Sequence, residues 1–193
     1  MAATFNYSSV IEGKRQLRNL VGRLKREFTS VNNEMEREAT SEKIMHKVEQ
    51  LPQFQNAKVI LAYHSLPDEV YTHLFLLRHA LEKTILLPKV VGETLTLHGF
   101  QQESDLSKGA FGIKEPNTPK YKEYALIDMV VVPGVAFDRS GKRLGRGRGY
   151  YDRLFSDLLP EHVFKVGVCY GFQLFDDIPA EPMDVPMHMV LSE

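Results

Sequence analysis

Three short apolar runs constrain this chain more than anything else in it. Lys58–His64 (KVILAYH), Met129–Val132 (MVVV) and Phe164–Tyr170 (FKVGVCY) carry β-branched residues and are too short for helices. Met129–Val132 is continuously apolar, the pattern of a strand buried on both faces of a parallel sheet, and Phe164–Tyr170 reads as another buried strand. Helical stretches alternate with them. Leu17, Leu20, Val21, Leu24 and Phe28 make one apolar stripe over residues 10–28, and Asn32 and Asn33 interrupt it as cap or turn residues. A second helix, with Ile44, Met45, Val48 and Leu51 inward, is expected to run to about Gln50 and to stop at Pro52. A third is expected from about Val70 to Lys83 with Leu74, Leu77 and Leu81 in register, then a strand over Thr84–Leu87 ended by Pro88. Thr94–Phe100 alternates like a half-exposed strand, 101–122 reads mostly as loop, Tyr150–Leu159 as helix and Met187–Leu191 as a final strand. The expectation is an α/β fold: a mainly parallel sheet with helices on both faces, a single three-layer domain over residues 1–193. Ligands in such folds gather beyond the carboxyl ends of the strands, where the loop after Val132 emerges.

Composition narrows the function. Lys plus Arg is 24 and Asp plus Glu 25, a net charge of -1, so no global basic excess favours nucleic acid or a membrane surface. One cysteine, Cys169, excludes an internal disulfide framework and a multi-cysteine zinc site. The start, MAATFNYSSVIEGK, lacks the pattern of a secretory leader, and Met129–Phe137 is broken by Pro133 and Gly134 and too short to span a bilayer. A cytoplasmic protein is expected, and a monomer, because no exposed apolar helix face stands out.

One loop departs from this average. Residues 133–153 read PGVAFDRSGKRLGRGRGYYDR. Gly141, Gly145, Gly147 and Gly149 lie close together there, and six cations (Arg139, Lys142, Arg143, Arg146, Arg148, Arg153) face two acids (Asp138, Asp152). Glycines let a ligand approach backbone N–H groups, arginines offer forked donors to phosphate oxygens, and the helix starting near Tyr150 aims its N-terminus at the same place. Strand, glycine-rich loop and helix make a phosphate cradle, although neither GxxxxGK[ST] nor GxGxxG is present, Tyr150 standing where the latter needs glycine. The plain alternative, a solvated hairpin, predicts neither this glycine density nor the carboxylate and two tyrosines that follow.

The same segment resembles the signature of the 5-formyltetrahydrofolate cyclo-ligases (methenyltetrahydrofolate synthetases), PG-x-x-FD-x-x-G-x-RLGRGxGYYD. Gly134, Phe137, Asp138, Gly141, Arg143, Leu144, Gly145, Arg146, Gly147, Gly149, Tyr150, Tyr151 and Asp152 all match. The likeness extends to Lys14-x-x-Leu17-Arg18, Glu69-x-x-Thr72, Phe111-Gly112-Ile113 with Glu115-Pro116, and Asp184. It implies an ATP- and magnesium-dependent closure of 5-formyltetrahydrofolate to 5,10-methenyltetrahydrofolate with release of ADP and phosphate.

The resemblance also implies roles. Arg143 and Arg146 would neutralise the phosphates and the transferring group, with Lys14, Arg18, Leu144, Gly145, Gly147, Arg148, Gly149, Tyr150 and Tyr151 completing the ATP site. Glu69, Phe111, Tyr150 and Tyr151 would meet the folate, and Asp152 and Asp184 would hold magnesium, a hard cation suited to carboxylate oxygens. At about 100° per residue Lys14 and Arg18 flank the Leu17 stripe, so their heads can reach a cleft edge, whereas Arg15 falls near the opposite face. Taken alone, Lys14 and Arg18 read as surface charges, Asp152 and Asp184 as helix-start or turn acids, and Glu69 as a cap. His188 stands where many relatives carry an acid and reads as a structural histidine. Two rivals stay open at this point: a basic loop gripping RNA, and a phosphosugar site in a related α/β fold.

Overall fold

The structure, a computed structural model, describes residues 9–109 and 114–193. Ser9 caps helix α1 (Val10–Val31), its side chain accepting the Glu12 N–H. Asn33 and Glu36 form a reciprocal capping box at the start of α2 (Glu34–Glu49). Pro52 does not merely end α2. It occupies the first turn of a third short helix, α3 (Pro52–Asn56), where a missing N–H costs nothing.

The strands follow. β1 is Val59–Leu61, and helix α4 (His73–His79) leads to the hairpin of β2 (Thr84–Val91) and β3 (Thr94–Phe100). Two short strands, β4 (Leu106–Lys108) and β5 (Lys114–Pro116), pair within the stretch expected to be loop. Then come β6 (Met129–Val132), β7 (Ala136–Asp138), β8 (Arg143–Leu144), α5 (Tyr150–Arg153), β9 (Phe164–Cys169), β10 (Leu174–Phe175) and β11 (Met189–Ser192). The central sheet has the order β11-β9-β6-β1-β2-β3. All its pairings are parallel except β2 with β3. The fold is therefore mixed α/β around a mainly parallel sheet.

Two expectations on this sheet need correction. β2 does not stop at Pro88 but runs on to Val91. Pairing with β1 ends at Leu61–Leu86, so Pro88 lies beyond the last β1 residue. Opposite it, the Leu97 carbonyl accepts from Tyr121 N on the side away from β2, so the missing proline N–H removes no ladder bond. The helix expected over Val70–Lys83 shrinks to α4, and its leucine register faces outward: Leu74, Leu77 and Leu81 are exposed, while Phe75 and Leu76 are buried. Phe75 wins because its ring reaches Phe54 and His79 at 5.5 and 4.9 Å. An apolar helix face is thus exposed where the sequence marked none.

One sheet face contributes Ile60, Ile85, Leu87, Met129, Val131, Val166 and Val168 to a core with α2, α3 and α4. The other contributes Val59, Leu61, Leu86, Val130 and Val132 to a core with Leu154, Phe155 and Leu159. A third cluster was not anticipated. Residues 133–149 are not one open loop: β7 and β8 pair as a hairpin, β10 joins them, and α1 packs Leu17 and Val21 on Ala136, Leu144 and Ile178. No helix among the described residues is long and apolar enough to cross a membrane.

Candidate active site

Half of the 133–153 string builds scaffold. Phe137 is fully buried between Gly134 and Gly167, and a Cβ on either glycine would lie 2.5 or 2.4 Å from its ring. Asp138 is also fully buried, and its carboxylate accepts the Ser140 and Lys142 N–H groups at 2.9 and 3.0 Å. Gly141 has φ 96°, and a Cβ there would sit 2.2 Å from the Met187 carbonyl oxygen. These residues fold the β7–β8 hairpin, and the hairpin carries the rest of the string to a cleft.

That cleft, of about 680 Å³, has unlike walls. Lys14, Arg18, Arg143, Glu181, Asp184 and the loop from Gly145 to Gly149 form a charged one, and Pro88, Val90 and Leu95 of the β2–β3 hairpin an apolar one. Tyr150 and Arg153 join the two: Tyr150 Oη donates to the Gly92 carbonyl at 3.4 Å and Arg153 Nη2 to the Glu93 carbonyl at 2.6 Å. α5 has one α-helical turn, followed by a π-helical stretch over Leu154–Leu158. Its dipole is correspondingly slight, so backbone N–H groups and arginines, more than a helix terminus, are the donors on this side of the cleft.

Arg143 has a side chain only 4% exposed. Its Nη2 donates to Asp152 Oδ2 at 2.9 Å, its guanidinium lies 5.3 Å from the Tyr151 ring centroid, and its buried Nε has no partner among the described residues. Packing raises the pKa of the Tyr151 hydroxyl, with Glu69 adding to the effect and Arg143 opposing it. Arg18 Nε donates to the Gly145 carbonyl at 2.9 Å and so braces the glycine loop. Burial lowers the Arg18 pKa against the pull of Asp184 and Glu181.

Lys14 lies within the buried stripe of α1, not beside it, and its Nζ donates to Glu181 at 2.7 Å and Asp184 at 2.5 Å. Asp152 and Asp184 reach the same cleft: Val185 N, next to Asp184, donates to Asp152 Oδ1 at 3.4 Å. Among the described residues no three His, Cys, Asp or Glu side chains converge to hold a metal; Asp152 and Asp184 offer two carboxylates, each already paired with a cation, Arg143 and Lys14. That donor set fits magnesium, which is usually held by one or two carboxylates together with substrate phosphates.

Glu69 is not a helix cap, because α4 begins at His73 and Thr72 holds its N-cap position. Its Oε2 accepts the Leu66 N–H at 3.0 Å and its Oε1 accepts from Arg146 Nη2 at 2.9 Å. Burial works against the Arg146 charge, but Glu69 and Asp68 outweigh it and raise its pKa. Phe111 lies outside the described residues. His188 is structural, as expected: its Nδ1 accepts from Lys165 N at 2.9 Å and its ring stacks on Phe164. The sequence reading missed Asp68, Lys25, Glu181 and the hairpin wall. Only Lys25 had left a trace, about three helical turns beyond Lys14 on the same face of α1.

The sequence profile of the 5-formyltetrahydrofolate cyclo-ligase family matches residues 10–193. The chain belongs to that family. Among cyclo-ligase relatives, the 5-formyltetrahydrofolate cyclo-ligase of Haemophilus influenzae is 26% identical over 184 residues, covering 92% of this chain and 96% of the relative. The probable cyclo-ligase of Schizosaccharomyces pombe is 30% identical over 166 residues, 77% of this chain and 81% of the relative. The fold is similar to the solution structure of Aquifex aeolicus 5,10-methenyltetrahydrofolate synthetase, with TM-score 0.79 and 35% identity over 93% of this chain and 89% of the other. The Mycoplasma pneumoniae synthetase gives TM-score 0.70 and 25% identity, over 92% and 97% of the two chains.

Proposed function

We propose that this cyclo-ligase-family protein converts 5-formyltetrahydrofolate to 5,10-methenyltetrahydrofolate and couples ring closure to cleavage of ATP. The observation that carries the reading is the cleft wall itself. Arg143, whose buried Nε has no partner among the described residues, precedes the glycine loop and Arg146 lies within it, next to two carboxylates and opposite an apolar wall.

The substrate's formyl group is an amide, whose oxygen is a poor leaving group. Transfer of the terminal phosphoryl of ATP to that oxygen leaves ADP and an imidate-like phosphate. The neighbouring substrate amine then attacks the same carbon, the C–O bond breaks, and phosphate departs with the oxygen. The protein therefore needs no nucleophile of its own; it positions two substrates and offsets charge. Arg143 is held rigidly by Asp152 and Tyr151 and suits the phosphate chain, and Arg146 suits the transferring group. Gly145, Gly147 and Gly149 open backbone N–H groups to phosphate oxygens, with Leu144, Arg148 and Tyr151 alongside. Lys14 and Arg18 support the ATP side, while Glu69, Tyr150 and Tyr151 face the folate. Asp152 and Asp184 would hold magnesium, which spreads the charge of the phosphates. In this reading the chain is one three-layer domain and works as a cytoplasmic monomer on small molecules.

The test is absorbance of the methenyl product, with purified protein, 5-formyltetrahydrofolate and magnesium, in the presence and absence of ATP. Product formed only with ATP, with equimolar phosphate, is the expected result. Product without ATP, or no product from folded protein that binds ATP, would overturn it.

A further inference from the structure

Lys14, Arg18 and Lys25 lie on the face of α1 that carries Leu17 and Val21; Lys14 and Arg18 line the cleft, and Lys25 reaches Asp68, next to the cleft-lining Glu69. Lys14 holds Glu181 and Asp184, Arg18 holds the Gly145 carbonyl, and Lys25 Nζ donates to Asp68 Oδ2 at 2.9 Å. Lys25 is buried among neighbours, its side chain 10% exposed, so the pair is anchored at the α1 end. Asp68 then meets Arg146: Nη2 lies 3.2 Å from Oδ1 and 3.5 Å from Oδ2, and 2.9 Å from Glu69 Oε1.

The two cleft arginines thus differ. Arg143 is enclosed and fixed. Arg146 has a side chain 54% exposed, and all its acid contacts run through one nitrogen, Nη2. Its resting partners are carboxylates, which compete with phosphate for the same donor. Lys25 draws on the same Asp68 carboxylate and weakens its hold on Arg146. We propose that Asp68, tethered to α1 by Lys25, is a positioning residue that keeps Arg146 in reserve on the β1–α4 loop and sets how readily it turns to a phosphate. Turning also releases Glu69, so the residue that grips one substrate frees the residue that faces the other. This rests on the nucleotide reading of the cleft.

The arrangement makes two neutral substitutions act in opposite directions. Lys25→Met leaves Asp68 wholly to Arg146 and should raise the Kd of magnesium–ATP about three-fold; Asp68→Asn loosens Arg146 and should lower it by a similar factor. Isothermal titration on the full chain reads both, with a thermal melt checking the fold. The decisive control is an Arg146→Met background, where both shifts should vanish. Shifts of the same sign would overturn the proposal, as would opposite shifts that persist without Arg146, which belong to general charge. If either single variant fails to fold, the other with its Arg146→Met partner still decides. Wild-type protein that binds no ATP would instead overturn the nucleotide reading and the proposal with it, whereas binding with wrong variant signs overturns the proposal alone.

Discussion

Two of the places where helices meet sheets in this molecule are built differently. Beneath α2, α3 and α4 the central sheet meets Ile44, Met45, Val48, Phe54, Phe75 and Leu76, an apolar contact in which side chains interlock. Beneath α1 the contact with β7 and β8 has a small apolar centre, Leu17 and Val21, and around it lie two buried lysines and a half-buried arginine. Burying charge is costly unless it is paired, and here each cation is matched to a carboxylate or a carbonyl at the cleft rim. The difference separates two tasks. The first contact supplies stability, and the second aims charge.

That division can be broken, and the largest effect tests the apolar side. Phe75→Ala removes a fully buried ring and should cost about 3–5 kcal/mol in urea unfolding, while the KM for ATP stays as in the wild type as long as the protein is folded. A KM that moved with stability would mean the two contacts are not separable. Next comes Arg146→Ala, expected to cut turnover by a factor on the order of 100 or more and to leave the melting temperature within about 2 °C. Near-normal turnover would sink the role given to this arginine.

A smaller effect lies in pH. Burial, and after it the neighbouring His73, lowers the His64 pKa to about 4, well below its ordinary value. His73 is shifted down as well, mainly by burial. A histidine whose folded pKa lies below its unfolded one takes up its proton more readily when unfolded. The stability that His64 contributes is therefore complete above about pH 6.5 and is lost as pH falls toward 4. Between those limits His64→Leu should flatten the slope by an amount on the order of 1 kcal/mol, read from denaturant midpoints. An unchanged slope would remove His64 from the account. The smallest effect is Leu81→Glu: at 89% exposure it should change stability by no more than about 0.5 kcal/mol. A larger loss would show that the outward leucine face is covered in solution.

Strand positions were readable because a buried parallel strand leaves a continuous apolar run. β6 matches the run Met129–Val132 residue for residue, and the antiparallel β3 matches Thr94–Phe100, which was readable from its alternation instead. α4 was misread because the spacing of Leu74, Leu77 and Leu81 fits a helix but does not say which side faces the sheet. β2 was cut short because a proline ends a strand only where its N–H would be needed. In the site, the glycines and arginines of the 133–153 string marked out a segment that does line the cleft. The string gave no sign that Phe137, Asp138 and Gly141 fold a hairpin while Arg143 and the residues after it line the cleft.

Local chemistry determined what a short window of sequence can hold: the buried strands, the capped starts of α1 and α2, and a loop rich in backbone donors and cations. Pairings between distant residues were left to the tertiary structure. Lys14 with Asp184, Lys25 with Asp68 and Arg146 with Glu69 join segments that only the packed sheet brings together. Periodicity says which face of a helix a residue occupies, but the partner of a charge depends on distance through space, and that exists only once the chain has folded.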